Sequence, residues 1–292
     1  MALPQAQQPE RKIPSRKTLE LYLSNEGMED TVRDKIVEFN LPYAVKWIDD
    51  KWALVDTLSA GELHLAKFIT EDPETLELKV KASKASKAPN EVLIIGPTGT
   101  GKEIIAKSMI ADRKGMFKAI NCAGIPETLI ESILFGYVKG AFTGAYTDRK
   151  GFMAEAADGV MFLDEVGELP LMMQSKLLRV IQEKCVCPVG AMSEVPVNCK
   201  FVFATNKNLK QMVKDRTFRE DLYARISMLE MHIKPLVSRM CDVIPICKSL
   251  PGHEDFLKEH GDSLRNGILD LSLNVRSIQN YVVRHTVWGT IR

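Results

Sequence analysis

A chain of 292 residues with 45% hydrophobic and 26% charged side chains has room for one large domain or two modest ones, each with a real core. Its formal net charge of +1 argues against a protein that wraps nucleic acid by bulk electrostatics. No apolar run nears the roughly 20 residues of a bilayer span, and the N-terminal MALPQAQQPERKIPSRK lacks the apolar stretch of a secretory signal. The expected location is therefore cytoplasmic, away from any membrane. The six cysteines form no CxxC pair and have no histidine at finger-like spacing, so buried structural thiols in a reducing compartment are the expectation. Cys185 and Cys187, in KCVCPVG, would share one face of a strand.

Residues 1–17, rich in Gln, Pro and basic side chains, are expected to form a disordered tail. Residues 18–59 read as a small regulatory or docking module. In it a helix is predicted over Asp30–Phe39, and AVKWIDDKWALVD predicts a hairpin turning at Asp49-Asp50. A helix follows from about Pro73 to Lys87, whose lysines fit a solvated face better than a phosphate contact. From Glu91 onward VLIIG, a helix over Lys102–Ala111, FKAIN, VMFLDE, a helix over Leu171–Glu183 and KFVFATN alternate. Short apolar strands between helices predict an α/β fold with a parallel sheet covered on both faces. After Pro235 the strand patterns stop. The predicted boundaries are an α/β subdomain over residues 60–235 and a helical subdomain over 236–292.

Gly96-Pro97-Thr98-Gly99-Thr100-Gly101-Lys102 satisfies GxxxxGK, follows the strand VLII and opens a helix. Glycines there let backbone N–H groups curl around phosphates, and Lys102 neutralises phosphate oxygens. The usual Ser or Thr after the lysine, a magnesium ligand, is Glu103, so the metal must lean on another carboxylate and on water. VMFLDE offers one: Asp164 would hold Mg²⁺ and Glu165 would polarise the attacking water. Hydrolysis of ATP or GTP is the expected chemistry.

The segment FGYVKGAFTGAYTDRKGFMAEAADGVMFLDEVGELP resembles the central domain of sigma-54-dependent transcription activators, the bacterial enhancer-binding proteins of the AAA+ class. Gly140-Ala141-Phe142-Thr143-Gly144-Ala145 matches that family's signature loop letter for letter. GPTGTGKE is similar to the family's GESGTGKE, including Glu103, while FREDLYARI resembles its arginine-finger segment and FVFATNKNL its first sensor. The resemblance spans roughly residues 61–292. It implies a three-layer P-loop AAA+ domain followed by a small helical lid, with ATP and Mg²⁺ as cofactors and subunits closing into a ring, a hexamer.

The resemblance also implies roles for individual residues. Asn121 would hold Glu165 away from the water until the partner is engaged, and Thr205 and Asn206 would sense the γ-phosphate. Arg219 and Arg225 would reach into a neighbouring subunit's site, and Arg276 would be the second sensor on the lid. Phe142 and Thr143 would tip a loop that grips sigma-54 within the RNA polymerase holoenzyme. Taken without the family, each has a plainer use: Arg219 and Arg225 in surface ion pairs with Glu220 or Asp221, Asn121 as a turn residue, and the Gly140–Ala145 loop as a glycine-rich turn.

Two departures stand out. Where the family has a glycine before the asparagine of its lid motif and a glutamate after the arginine, this chain has Leu273 and Ser277. The helix-turn-helix that usually follows the lid in these activators is not recognised, nor is a phosphoacceptor domain ahead of it. The expected function is an ATP-hydrolysing ring that engages sigma-54 polymerase and remodels the closed promoter complex. Two alternatives stay open: the same motor acting on a different protein client, and a nucleotide-binding docking module without efficient turnover.

Overall fold

The computed structural model describes residues 60–111 and 113–289, the strands Tyr43–Ile48 and Lys51–Asp56, and a few single residues between 19 and 35. The chain divides into two compact units, Met1–Ser59 and Ala60–Arg292. In the first, strands β1 (Tyr43–Ile48) and β2 (Lys51–Asp56) pair antiparallel with Ile48 opposite Lys51. The antiparallel pairing is the hairpin the alternating sequence predicts; the expected turn at Asp49-Asp50 lies outside the described residues. Thr31, Val32 and Lys35 are helical; the rest of the predicted Asp30–Phe39 helix, and the tail over residues 1–17, lie outside the described residues.

The second unit opens with α1 (Ala60–Ala66) and α2 (Pro73–Lys87). Asp72 caps α2, its Oδ2 accepting from the Thr75 amide at 2.9 Å, with Pro73 at the first helical position. There follow β3 (Val92–Ile95), α3 (Lys102–Ser108), β4 (Phe117–Asn121), α4 (Glu127–Phe135), the short pair β5 (Gly136–Tyr137) and β6 (Arg149–Lys150), α5 (Phe152–Ala156) and β7 (Val160–Asp164). Next come α6 (Leu171–Glu183), the short pair β8 (Cys185–Val186) and β9 (Val195–Pro196), β10 (Lys200–Thr205), α7 (Leu209–Lys214), α8 (Glu220–Ile226) and β11 (Glu230–His232). Three further helices follow: α9 (Val243–Lys248), α10 (His253–Arg265) and α11 (Val275–Trp288).

Five strands make one sheet in the order β11-β3-β10-β7-β4, every neighbouring pair parallel. Side chains alternate across its faces. Leu93, Met161, Leu163, Phe201 and Phe203 join a core with α4 and α6. Val92, Ile94, Val160, Phe162, Val202 and Ala204 join a second core under α1, α2 and α3. Burial on both faces is why these strands read as near-continuous apolar runs. Leu236, Val243, Ile246, Phe256, Leu264, Ile278 and Val282 form a separate core for the C-terminal helices. Among the described residues no helix is long and apolar enough to cross a membrane.

Local outcomes differ from the sequence in three places. The helix predicted to reach Ala111 stops at Ser108, and Ala111 turns out at φ 41°. Strand β8 ends at Val186, so Cys187 lies beyond it and does not share a strand face with Cys185. Of the six cysteines, all free, Cys122, Cys199 and Cys247 are buried, whereas Cys187 and Cys241 are exposed and Cys185 is half-buried.

Candidate active site

Because all five strands run the same way, the residues that end them meet along one edge, where parallel sheets form ligand crevices. The Gly96–Lys102 loop leaves β3, Asn121 ends β4, Asp164 ends β7 with Glu165 next, and Thr205 ends β10 with Asn206 next. In register, Asn121 stands opposite Asp164, and Thr205 opposite Ile95. Four segments far apart in sequence therefore converge without any long loop.

The loop is tightly built. The Gly96 amide donates to Thr205 O at 3.1 Å, and Thr100 Oγ1 donates to Pro97 O at 2.8 Å. Gly99 (φ 78°) and Gly101 (φ 102°) hold left-handed backbone that favours glycine, and a Cβ on Gly99 would stand 2.2 Å from Leu273 O. Lys102, 7% exposed, donates from Nζ to Gly96 O at 2.9 Å and pairs with Glu165 Oε1 at 3.3 Å. Glu103 faces outward and pairs with Lys107 at 2.7 Å, while still lining the cleft.

Glu165 is a non-glycine residue in the left-handed region (φ 52°, ψ 50°), a conformation that costs about 1–3 kcal/mol and recurs at functional sites. The turn sends its carboxylate back across the strand end, where Oε2 accepts from the Asn206 amide at 3.0 Å. Asn206 Nδ2 in turn donates to Thr98 Oγ1 at 3.2 Å. Burial raises the Asp164 carboxyl above the ordinary range, the nearby Lys102 opposing and Glu165 reinforcing the shift. A half-buried carboxylate held against that penalty is a site that a cation would relieve. Thr205 is fully buried, its Oγ1 accepting from the Lys207 amide at 3.0 Å. Asn121 Oδ1 accepts from the Ala123 amide at 2.9 Å, capping its own turn.

These groups open onto a cleft of about 340 Å³ between the sheet edge and the C-terminal helices. Arg276, at the start of α11, lines it, as do Phe68, Ile69, Ile246, Leu250 and Val275. The apolar set was not legible in the sequence. Nor was the clasp beneath the loop: Arg239, fully buried, pairs with Asp242 at 2.8 Å and donates to Thr100 O at 3.2 Å. Asn274 donates from Nδ2 to Thr98 O at 2.9 Å and accepts from the Leu236 amide at 2.7 Å. Arg239 and Asp242 are the only charged residues in LVSRMCDV, but nothing local marks them as partners of the Gly96–Lys102 loop.

Over residues 68–232 the chain matches the sigma-54 interaction domain. It belongs to that family. The sigma54-dependent transcriptional activator SfnR of Pseudomonas putida is 37% identical over 244 residues, which is 78% of this chain and 65% of SfnR. The regulatory protein AtoC of Escherichia coli is 37% identical over 238 residues, 76% of this chain and 50% of AtoC. The chain thus spans less than two thirds of the length of these curated relatives. Among solved structures, NtrX from Brucella abortus superposes with a TM-score of 0.66 at 26% identity, covering 77% of this chain and 53% of that one.

In this sigma-54 interaction domain the Gly140–Ala145 loop is closed on itself. The Gly140 amide donates to Ala145 O at 2.9 Å and the Ala145 amide to Phe142 O at 3.0 Å. Gly140 (φ 83°) and Gly144 (φ 101°) provide the left-handed turns that frame it. Ala145 is buried, Ala141 lies 2.8 Å from where a Cβ on Gly190 would sit, and Phe142 packs edge-on to Tyr137 at 4.9 Å. Thr143 is exposed beside it. Arg219 and Arg225, at the start and end of α8, are not among the residues lining the cleft of their own chain. Arg219 pairs with Asp221 at 2.6 Å and donates to Ser175 Oγ at 3.1 Å. Arg225 lies 3.7 Å from the buried Glu91, and its Nε is buried with no hydrogen-bond partner among the described residues.

Proposed function

We propose that this chain binds ATP with Mg²⁺ in the cleft and hydrolyses it, coupling turnover to engagement of sigma-54 polymerase and remodelling of the closed promoter complex. The observation that carries this reading is the convergence of Lys102, Asp164, Glu165 and Asn206 at the mouth of the Gly96–Lys102 loop. Nucleotide binding is further supported by the crystal structures of NtrX in complex with ADP and with ATP, each 25% identical with TM-scores of 0.63 and 0.62.

In this reading the loop amides and Lys102 hold the phosphates, and the apolar wall of Ile69, Ile246, Leu250 and Val275 takes the base. Asp164 holds the metal, whose charge would neutralise the phosphate oxygens and relieve the buried carboxylate. A phosphate drawing on Lys102 weakens the 3.3 Å pair with Glu165, leaving that carboxylate oxygen to orient water. Thr205 and Asn206 report phosphate occupancy to Glu165 through the 3.0 Å amide contact, and Asn121 at the adjacent strand end modulates the same carboxylate. Arg276 reads the nucleotide from the lid.

Arg219 and Arg225 serve a neighbouring subunit, which makes a ring, a hexamer, the active form. An arginine supplied in trans contributes on the order of 10³–10⁵ in rate. The Phe142–Thr143 tip is the surface offered to sigma-54, its aromatic ring half-exposed on a glycine-framed loop.

The test is capture of purified sigma-54 by the chain loaded with ADP and a metal fluoride, with Thr143→Ala as control. Capture that needs both the transition-state mimic and Thr143 supports the reading. ATP turnover without capture moves the motor to another client, and tight nucleotide binding without turnover makes it a docking module.

A further inference from the structure

We propose that the C-terminal helical subdomain carries a site for a zinc-class transition-metal ion, built from Glu259 and His260 on α10 and His285 on α11. One ligand atom from each of the three side chains falls within 4.8 Å of the other two. Glu259 Oε2 stands 3.1 Å from His285 Nε2 and 3.7 Å from His260 Nε2. Ligand atoms on a tetrahedral zinc with bonds of about 2.0–2.1 Å are roughly 3.3 Å apart, so the two separations from Glu259 stand close to the spacing a single ion imposes. Two imidazoles and one carboxylate are a donor set that such ions take.

The second observation is an orphan. His260 Nε2 is buried and has no hydrogen-bond partner among the described residues; its separation from Glu259 exceeds hydrogen-bond reach. Buried polar atoms in folded proteins are nearly always satisfied, and each exception calls for a reason. A shared ion gives this nitrogen a partner, with both rings ligating as the tautomer protonated at Nδ1.

The rings are held for the task. His260 and His285 meet edge to face with centroids 5.6 Å apart, and the fully buried Phe256 contacts both at 5.4 and 5.8 Å. Glu259 is 60% exposed, which leaves an entry path and a fourth position for water. Among the described residues the other cluster of ligand-type side chains, Glu183, Cys185 and Glu194, lacks these features. Arg179 already bridges its two carboxylates at 2.8 and 3.2 Å, and the thiol lies 3.0 Å from Glu194.

An ion here ties α10 to α11, the helix whose first turn carries Arg276 into the cleft, and so stiffens the lid without touching the nucleotide groups. The test uses the full chain, reduced and free of nucleotide, titrated with Zn²⁺ alone and, for spectra, with Co²⁺ alone. The expected result is one saturable equivalent per chain, a rise in melting temperature with metal, and cobalt bands without sulfur charge transfer. Affinity is expected to fall at least about tenfold in both Glu259→Ala and His260→Ala, and to be unchanged in Cys185→Ser. Melting of the variants in chelator checks that they fold; Glu259→Ala, at an exposed position, decides if His260→Ala does not. No saturable binding, undiminished affinity in Glu259→Ala, or loss of the site in Cys185→Ser overturns the proposal.

Discussion

The Arg239–Asp242 clasp yields the most exacting prediction. The two side chains are 1% and 0% exposed. Asp242 Oδ1 accepts from the Glu71 and Asp72 amides at 2.6 and 3.2 Å, while Oδ2 accepts from Thr70 Oγ1 at 2.7 Å and Arg239 Nη1 at 2.8 Å. Arg239→Met removes the only one of these four donors that carries charge and leaves a buried carboxylate with neutral partners. Breaking a buried pair in this way costs about 3–5 kcal/mol, which for a unit of this size lowers the melting temperature by roughly 6–20 °C. Adding Asp242→Asn should restore much of that. The carboxamide Oδ1 keeps both backbone amides, its Nδ2 can donate to a rotated Thr70 hydroxyl, and no charge remains. Urea unfolding of the wild type, both single variants and the double variant closes a cycle whose coupling should exceed about 1 kcal/mol. Arg239→Met should also weaken nucleotide binding, because Arg239 Nη2 steadies Thr100 O in the loop. If that variant unfolds within about 1 kcal/mol of wild type, or the double variant costs the sum of the singles, the clasp is not the paired unit described.

Asp164→Asn should abolish turnover yet raise the stability of the nucleotide-free chain near neutral pH. Its folded-state pKa is raised above the ordinary 3.8, so the acid form's advantage is full below that value and is lost as pH rises through the folded value. Melting curves should therefore show the variant's gain shrinking on acidification, and a gain that persists below about pH 3.8 would contradict the assignment. Gly99→Ala must place a Cβ 2.2 Å from Leu273 O at φ 78°; it should cost about 1–3 kcal/mol in denaturant unfolding and lower ATP affinity, and a neutral outcome would refute the contact. Asn274 sits at φ 57°, ψ −129°, so Asn274→Gly loses both carboxamide bonds but sheds the strain, whereas Asn274→Ala keeps it. The order of stability should be wild type, then Gly, then Ala, with the variants about 1 kcal/mol apart.

Much of the sheet and of its edge was readable because the signals are local. VLII, VMFLD and KFVFAT are apolar runs, as strands buried on both faces must be, and each leads into the polar residues of the proposed site. Once the strands are parallel, Lys102, Asp164, Glu165, Thr205 and Asn206 have to gather at one edge. What pattern could not convey is pairing across long separations. The contact of Arg239 with Thr100 spans 139 residues, and that of Asn274 with Thr98 spans 176. Neither helical nor strand periodicity encodes such a partner. The left-handed turn at Glu165 was equally hidden, since glutamate carries no mark of it in sequence.

The lid motif shows how a departure from a family pattern can mislead when only letters are compared. Leu273 stands where the family has glycine, which suggests a backbone that leucine ought to resist. In the structure Leu273 is not among the residues with positive φ; the neighbouring Asn274 is. The substitution at 273 therefore carries no left-handed strain, and the carbonyl of Leu273 packs over Gly99 as a backbone contact that any side chain would permit. The requirement in this segment falls on Asn274, whose carboxamide joins the Leu236 amide to Thr98 O. Losing it would leave one buried donor and weaken the hold of this segment on the Gly96–Lys102 loop. The segment keeps the group that makes the contact and changes a neighbour whose backbone stays in ordinary space, so the departure leaves the contact between Asn274 and the Gly96–Lys102 loop intact.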